Sequence, residues 1–239
     1  MSTIQTKGVV LSISDTKETD RQLVLLTKNY GKILVSAKGA RKPNSKFMAS
    51  AQLFTYSDYV IHDGGRFFSV AQADVIENFF NLRVDYTRLC LAQYFVEICD
   101  KTIPFKAQCE ELMHLLIISL SSLSKGIRSP FLIARAFEIK FFQLNGIAPE
   151  VDCCAKCGGP LSIPIRFGPE GTVCGCYTQP ALLISPPTIS AIKYILSAEL
   201  PDIFKFSVNQ AILDELKSAS RMFFRYHFNV VINSLNMME

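Results

Sequence analysis

The sequence predicts an α+β protein: a small N-terminal β-barrel, then a helical domain interrupted by a cysteine-bearing insertion. Three observations predict it. The first 76 residues hold five short runs rich in Val, Ile, Leu, Phe and Tyr, separated by turn residues. From about residue 82 the apolar spacing changes to that of a helix. Five of the eight cysteines then crowd into residues 153–176.

In chain order, the strand-like runs are 8–13, 22–27, 32–37, 52–61 and 67–75. Turn signals divide them at 15–20, at Asn29-Tyr30-Gly31, at 39–45 and at His62-Asp63-Gly64-Gly65, the last a good hairpin signal. Five strands in so short a length suit a closed barrel of the OB type or an SH3-like barrel, and periodicity does not choose between them. Beyond them, Leu89, Ala92, Val96, Cys99 and Ile103 line one face of a helix that stops at Pro104. A second helix is expected over 108–123. A third opens at Ser129-Pro130, a capping residue before a proline, and ends at Asn145-Gly146. Ser207-Val208-Asn209-Gln210 has the form of a capping box, opening a long helix through Ile212, Leu216, Ala219, Phe223, Tyr226 and Val230. The stretch 147–187 reads as irregular. With a boundary near 77–84, the expected domains are 1–80 and 81–239.

The length of 239 residues and a hydrophobic share of 49% allow one large domain or two small ones with ample core, and exclude wholesale disorder. The longest apolar run, over 112–123, holds His114 and three serines and is too short for a membrane span. Residues 1–7 are polar and lack the apolar centre of a secretory signal, so a cytoplasmic location is expected. The net charge of +4 is unevenly spread: residues 1–46 carry nine Lys/Arg and three Asp/Glu, whereas the remainder is near balance. The excess suits a polyanion partner, although a basic solvated face is the commoner explanation for an excess this small.

Eight cysteines in a cytoplasmic chain do not read as a disulfide framework. Cys90, Cys99 and Cys109 stand singly in helical patterns, as small buried hydrophobes do. Cys154-Ala155-Lys156-Cys157-Gly158-Gly159 is a C-x2-C-G-G knuckle, followed after sixteen residues by Cys174-Gly175-Cys176. Two such turns bring four thiolates to one tetrahedral ion, most commonly zinc, one per chain. A closed set of that kind has no open position for chemistry, so the ion is structural. Cys153 is a fifth candidate for four places, and the alternative to a metal site is a cluster of reduced thiols in a loop. A zinc deaminase is excluded, because none of the three histidines lies in an H-x-E.

The second concentration of chemistry is Lys38-Gly39-Ala40-Arg41-Lys42-Pro43-Asn44-Ser45-Lys46, four cations in nine residues leaving a strand. Such a loop sets cations and backbone N–H groups along a phosphate chain. Lys28 and Lys32 flank the preceding turn as an extension of the patch. Tyr30, Phe47 and Phe54 are aromatics that suit base stacking, although barrel core is the commoner place for each. The chain lacks G-x4-G-K-[ST], G-x-G-x-x-G, H-E-x-x-H and G-x-S-x-G, so catalysis has no recognisable motif.

Several segments, in this order, carry a resemblance. They are Lys7-Gly8-Val9-Val10-Leu11; Leu25-Leu26-Thr27 leading to Tyr30-Gly31-Lys32; and Ala37-Lys38-Gly39-Ala40-Arg41-Lys42 with Ser45-Lys46. Asn145-Gly146-Ile147-Ala148-Pro149-Glu150 then runs into the cysteine knuckle, and Tyr226-His227 and Ser234-Leu235 lie near the end. Over nearly its whole length the chain resembles the bacterial RecO family of DNA repair and recombination mediators. The resemblance implies an N-terminal OB-fold, a helical domain with a zinc-binding insertion, and a non-enzymatic role in the RecF pathway. It implies binding of single- and double-stranded DNA, annealing of complementary strands, and loading of RecA, together with RecR, onto DNA coated by single-strand-binding protein. Contact with the acidic C-terminal tail of that protein through the helical domain is implied too, with Arg128, Arg135 and Lys140 as candidates. By position, the DNA-contact residues are Lys38, Arg41, Lys42 and Lys46, then Lys28, Lys32 and Arg66. The metal ligands are Cys154, Cys157, Cys174 and Cys176, although Cys174-Gly175-Cys176 departs from the family's usual second C-x2-C. Against this mediator reading stand a protein-interaction adaptor whose DNA contact is incidental, an RNA-binding OB protein and, more distantly, a zinc enzyme.

Overall fold

The computed structural model describes residues 2–65 and 67–234. It forms two compact units, one running to Lys125 and including the C-terminal residues from Ile232, the other running from Gly126 to Val231. These units do not coincide with a division after residue 80. The first helices stay with the barrel because side chains and backbone tie them to it: Lys28 pairs with Glu110 at 3.2 Å, Lys32 pairs with Asp100 at 3.6 Å, and the Lys106 N–H donates to Lys32 O at 2.9 Å.

The barrel comprises β1 (Ser2–Thr16), β2 (Asp20–Thr27), β3 (Gly31–Ala37), β4 (Tyr56–Asp63) and β5 (Phe68–Glu77). It closes in the order β1-β2-β3-β5-β4, antiparallel except for the short parallel contact of β3 with β5. This is the OB arrangement rather than the SH3-like one. Strand β1 serves two neighbours, pairing through Ser2–Val9 with β4 and through Gly8–Thr16 with β2, and a bulge between Val10 and Ser12 bends it around the corner. Side chains alternate as a half-buried sheet requires: Leu23, Leu25, Ile33, Val35 and Ala37 fill the interior, while Leu34 faces out. The connection from β3 to β4 caps one end of the barrel with Phe47 and Ala51, a pair four residues apart that share a helical turn through the Ala51 N–H and Phe47 O.

At the opposite end of β3, Gly31 has φ +66°, and a Cβ there would lie 2.1 Å from Ala107 O. Gly31→Ala therefore combines a left-handed backbone with a backbone clash. It is expected to cost about 2–4 kcal/mol, read as a lowered Tm in a circular-dichroism melt. An unchanged Tm would show that 104–107 does not pack on the β2–β3 turn.

A short 3₁₀ turn at Phe80–Val84 leads into α1 (Tyr86–Thr102), whose Asp85 cap accepts from the Arg88 N–H at 2.9 Å. Helix α2 (Glu110–Lys125) has acids in its first turn and a lysine in its last, as its dipole favours. The C-terminal residues return to α1, where Glu97 accepts from the Asn233 and Ser234 N–H groups, both at 2.8 Å, and from the Ser234 hydroxyl. Partial burial pushes Glu97 up. Lys101, the Ser234 hydroxyl and these N–H groups outweigh it and hold the carboxyl at about 2. A carboxyl lowered on folding stabilises above its unfolded pKa and loses that contribution as pH falls towards its folded one. The C-terminal anchor is therefore expected to loosen between about pH 4.5 and 2. Glu97→Gln should abolish that acid-dependent step in amide exchange at Asn233 and Ser234; a step persisting in the variant would assign it to another carboxyl.

The second unit contains α3 (Pro130–Leu144), a three-stranded sheet in the order β7-β6-β8, α4 (Pro186–Ser197) and α5 (Gln210–His227). The strands are β6 (Ile165–Gly168), β7 (Gly171–Val173) and β8 (Leu182–Ile184), set within the stretch that read as irregular. Helix α4 also escapes the sequence pattern, although Ser185-Pro186 repeats the opening of α3. Glu215 completes its start by accepting from the Ser185 N–H at 2.7 Å and from the Ser185 hydroxyl. The capping residue of α5 is Asn209, whose side chain accepts from the Ile212 N–H at 3.0 Å, not Ser207. That helix ends at His227, so Val230 lies beyond it.

Candidate nucleic-acid interface and metal centre

The basic loop begins where β3 ends. Asp20 Oδ1 accepts from the Gly39 N–H at 2.8 Å, and the Arg41 N–H donates to Thr19 O at 3.0 Å, so the loop is pinned to the β1–β2 turn. Pinning leaves its cations outside: Lys38, Arg41, Lys42 and Lys46 are all exposed. Arg41 leans on Asp15 at 3.4 Å, and Lys46 donates to Ala71 O at 2.9 Å while sitting over the Phe47 ring. Lys38 and Lys42 have no side-chain partner among the described residues, which makes them the cations most available to a phosphate.

The other candidates separate from this loop. Lys32 is buried, engaged with Asp100, and lies over the Phe105 ring at 4.6 Å, so it binds the first helices to the barrel and offers no charge to solvent. Lys28 sits at the far end of β3, about 20 Å from Lys38 at the usual rise per residue, and is paired with Glu110. Arg66 lies outside the described residues. Phe47 and Phe54 are core, while Tyr30 is part-exposed at the Lys28 end.

Between the loop and the β4–β5 turn the barrel surface opens into a cleft of about 830 Å³. Its floor is the outward face of β2 and β3, including Gln22, Leu34 and Ser36, and Lys17, Lys38 and Lys106 stand around it. Phe67 and Phe105, both largely exposed, form its walls. Lys17, Lys106, Phe67 and Phe105 were not legible as site residues. One signal marks the two lysines in retrospect: φ is +52° at Lys17 and +65° at Lys106, a left-handed backbone that non-glycine residues rarely hold.

In the second unit, the sulfurs of Cys154, Cys157, Cys174 and Cys176 all lie within 4.8 Å of one another, with Cys154–Cys176 at 3.6 Å and Cys157–Cys174 at 3.5 Å. Cys153 is not among them, although it is adjacent in sequence. The knuckle is shaped by the Gly158 N–H donating to Cys154 O at 2.8 Å and by φ of +69° at Gly158. It is joined to β7 by the Ala155 N–H donating to Thr172 O at 2.8 Å and by the Thr172 hydroxyl donating to Cys153 O at 2.7 Å. The Cys174 N–H, helped by those of Cys157 and Lys156, lowers the Cys154 thiol to about 6, which favours the thiolate a metal requires. Four sulfurs so placed can bind a metal ion. Edges near 3.5 Å suit a tetrahedron with metal–sulfur bonds of about 2.3 Å, whose edges are about 3.8 Å.

The family models for the N-terminal and C-terminal parts of Recombination protein O match residues 1–79 and 83–235. The chain belongs to the RecO family. It is 36% identical to the DNA repair protein RecO of Acetivibrio thermocellus over 94% of its length and 92% of that protein's. It is 32% identical to the RecO of Alkaliphilus metalliredigens over 98% of both chains. A role in DNA repair follows. Among the described residues no helix is long and apolar enough to cross a membrane.

Two of the three tail-contact candidates in this RecO-family chain are occupied elsewhere. Lys140 is buried and donates to Leu196 O at 3.1 Å and Ala198 O at 2.7 Å, closing the C-terminus of α4. Arg135 is buried against Glu138 at 3.0 Å. Arg128 is exposed.

Proposed function

We propose that this RecO-family chain is a non-enzymatic mediator of DNA repair and homologous recombination in the cytoplasm, associated with the nucleoid. It binds single- and double-stranded DNA, anneals complementary strands and, with RecR, helps load RecA onto DNA coated by single-strand-binding protein. The observation that supports this best is the pinned basic loop, which carries Lys38 and Lys42, without side-chain partners among the described residues, on the rim of an OB barrel. Lys38, Arg41, Lys42 and Lys46 neutralise phosphates of two strands at once and lower their mutual repulsion, so annealing needs no nucleotide. The four-cysteine centre holds one zinc ion in a structural role, binding the knuckle to the β6–β8 sheet. Contact with the tail of single-strand-binding protein belongs to a helical surface other than Arg135 and Lys140.

Annealing of two complementary labelled oligonucleotides without nucleotide, across a salt series, tests the proposal. Salt-sensitive annealing that collapses when Lys38 and Lys42 become alanine is expected. RecA loading that survives such neutralisation would favour the adaptor reading, and stronger binding to RNA than to DNA of the same sequence would favour the RNA-binding one.

A further inference from the structure

The outward face of β1, β4 and β5 carries a row of charges that does not balance. Cross-strand register sets Lys7 opposite Asp58, and Asp58 opposite Asp74. Like charges directly opposite one another destabilise a sheet, so the two carboxylates cost stability where they stand. Gln5 donates to Asp58 Oδ2 at 3.2 Å, and Gln72 donates to Asp74 Oδ2 at 2.9 Å. The other oxygen of Asp58, Oδ1, is buried without a hydrogen-bond partner among the described residues. Asp58 has Lys7 on its far side. Asp74 is exposed, and no strand lies beyond it to offer a cation.

The edge on which Asp74 lies is open. Strand β5 meets β3 only through Phe68 and Ser69, and Lys46 covers Ala71 O. Over 72–77, among the described residues, the backbone bonds to no element but β4. That stretch is about 20 Å long, the length of an ordinary strand. Free edges are normally shortened, covered, or guarded by lysine or proline, whereas this one carries only acids, Asp74 and Glu77. Val75, Ile76 and, just past the strand, Phe80 are exposed beside them.

We infer that the free edge of β5 docks an extended, arginine-bearing segment of a partner protein, which adds a strand to the barrel and places a cation beside Asp74. The row then reads cation, acid, acid, cation across four strands, and the guanidinium relieves the repulsion between the two carboxylates. Main-chain bonds to 72–77 supply affinity, apolar side chains meet Val75 and Ile76, and the arginine supplies specificity. The same charges exclude other occupants. A second copy of this chain, paired edge to edge about a two-fold axis near residues 74–76, would set its Asp74 and Glu77 against the same acids here. Nucleic acid and acidic peptides are repelled likewise. This docking goes beyond the DNA-binding reading and does not depend on it.

A short fluorescein-labelled peptide of alternating valine and arginine is the probe, titrated by anisotropy into the full chain at low salt. Two further peptides are compared with it. One has glutamate for arginine; the other is methylated on its backbone nitrogens, which keeps the charge and removes the donors. The net charge of the chain is +4, so an arginine peptide has no general attraction to it. The arginine peptide is expected to bind at least about tenfold more tightly than either of the others, and to slow amide exchange over 72–77. Asp74→Asn should lose about tenfold in affinity while its Tm rises, because repulsion from Asp58 is removed. Glu111→Gln, an exposed acid on α2, should leave affinity unchanged. No binding of the arginine peptide, equal binding of its methylated form, or undiminished affinity in Asp74→Asn would each overturn the proposal. A Tm that falls in Asp74→Asn would show a carboxylate already satisfied within the fold, and would overturn it too.

Discussion

Replacing Lys38, Arg41 and Lys42 together with alanine should reduce the slope of log K against log salt for single-stranded DNA by about 2, because each lost phosphate contact on a single strand removes about 0.7. Lys38 and Lys42 should each contribute a full contact, having no side-chain partner among the described residues. Arg41 must first leave Asp15, but that pair is exposed, and surface pairs are worth about 0–1 kcal/mol, less than a charge-assisted bond to phosphate. Asp20→Ala offers a complementary variant: it keeps every cation but frees the Gly39 N–H that pins the loop. Its affinity should fall while its slope stays near that of the wild type, since ordering of the loop changes and the number of phosphates does not. Titration by fluorescence anisotropy reads both quantities. An unchanged slope in the triple variant would place the phosphate contacts elsewhere on the chain.

The second large effect concerns the four-cysteine centre. Protein prepared without chelators should carry about one zinc ion per chain, and Cys154→Ser or Cys176→Ser should remove it. Cys153→Ser should retain it, because that thiol lies outside the cluster. Structural zinc sites contribute about 10–16 kcal/mol of apparent binding free energy in small domains, far more than a three-stranded sheet of this size supplies alone. Loss of the ion should therefore disorder β6–β8 through the Thr172 and Ala155 bonds that join knuckle and strand, while the barrel keeps its melting transition. Elemental analysis paired with amide exchange measures both. A stoichiometry near zero in fresh protein, or protected β7 amides after chelation, would refute the structural role.

How far the sequence was legible depends on how local each feature is. The strands of the barrel announce themselves because alternation of apolar residues is written into consecutive positions, and glycine and asparagine mark the turns between them. The knuckle is equally local, since its two cysteines and the glycines after them sit within six residues. Helix α4 was obscured because its first two residues, Pro186 and Pro187, fall at the end of the stretch that reads as irregular, although proline is well placed in a first turn. The start of α5 was misplaced by two residues because Ser207 and Asn209 both have capping side chains, and only the backbone shows which one accepts.

The sequence alone determined the barrel followed by helices, the basic loop with its four cations, and a cluster of five cysteines of which four would serve one ion. These follow from periodicity, charge and short spacing, which survive without knowledge of what lies opposite. The tertiary structure decided the rest: that β3 closes on β5 in the OB order, that Lys32 is buried against Asp100, that Lys140 serves the end of α4, and that Cys153 stands apart from its neighbours' sulfurs. It also brought Phe105, from between two helices, to the edge of a strand seventy residues earlier. Each is a pairing between distant positions. The energy of a buried charge or an exposed ring depends on its partner, and a linear sequence does not name the partner.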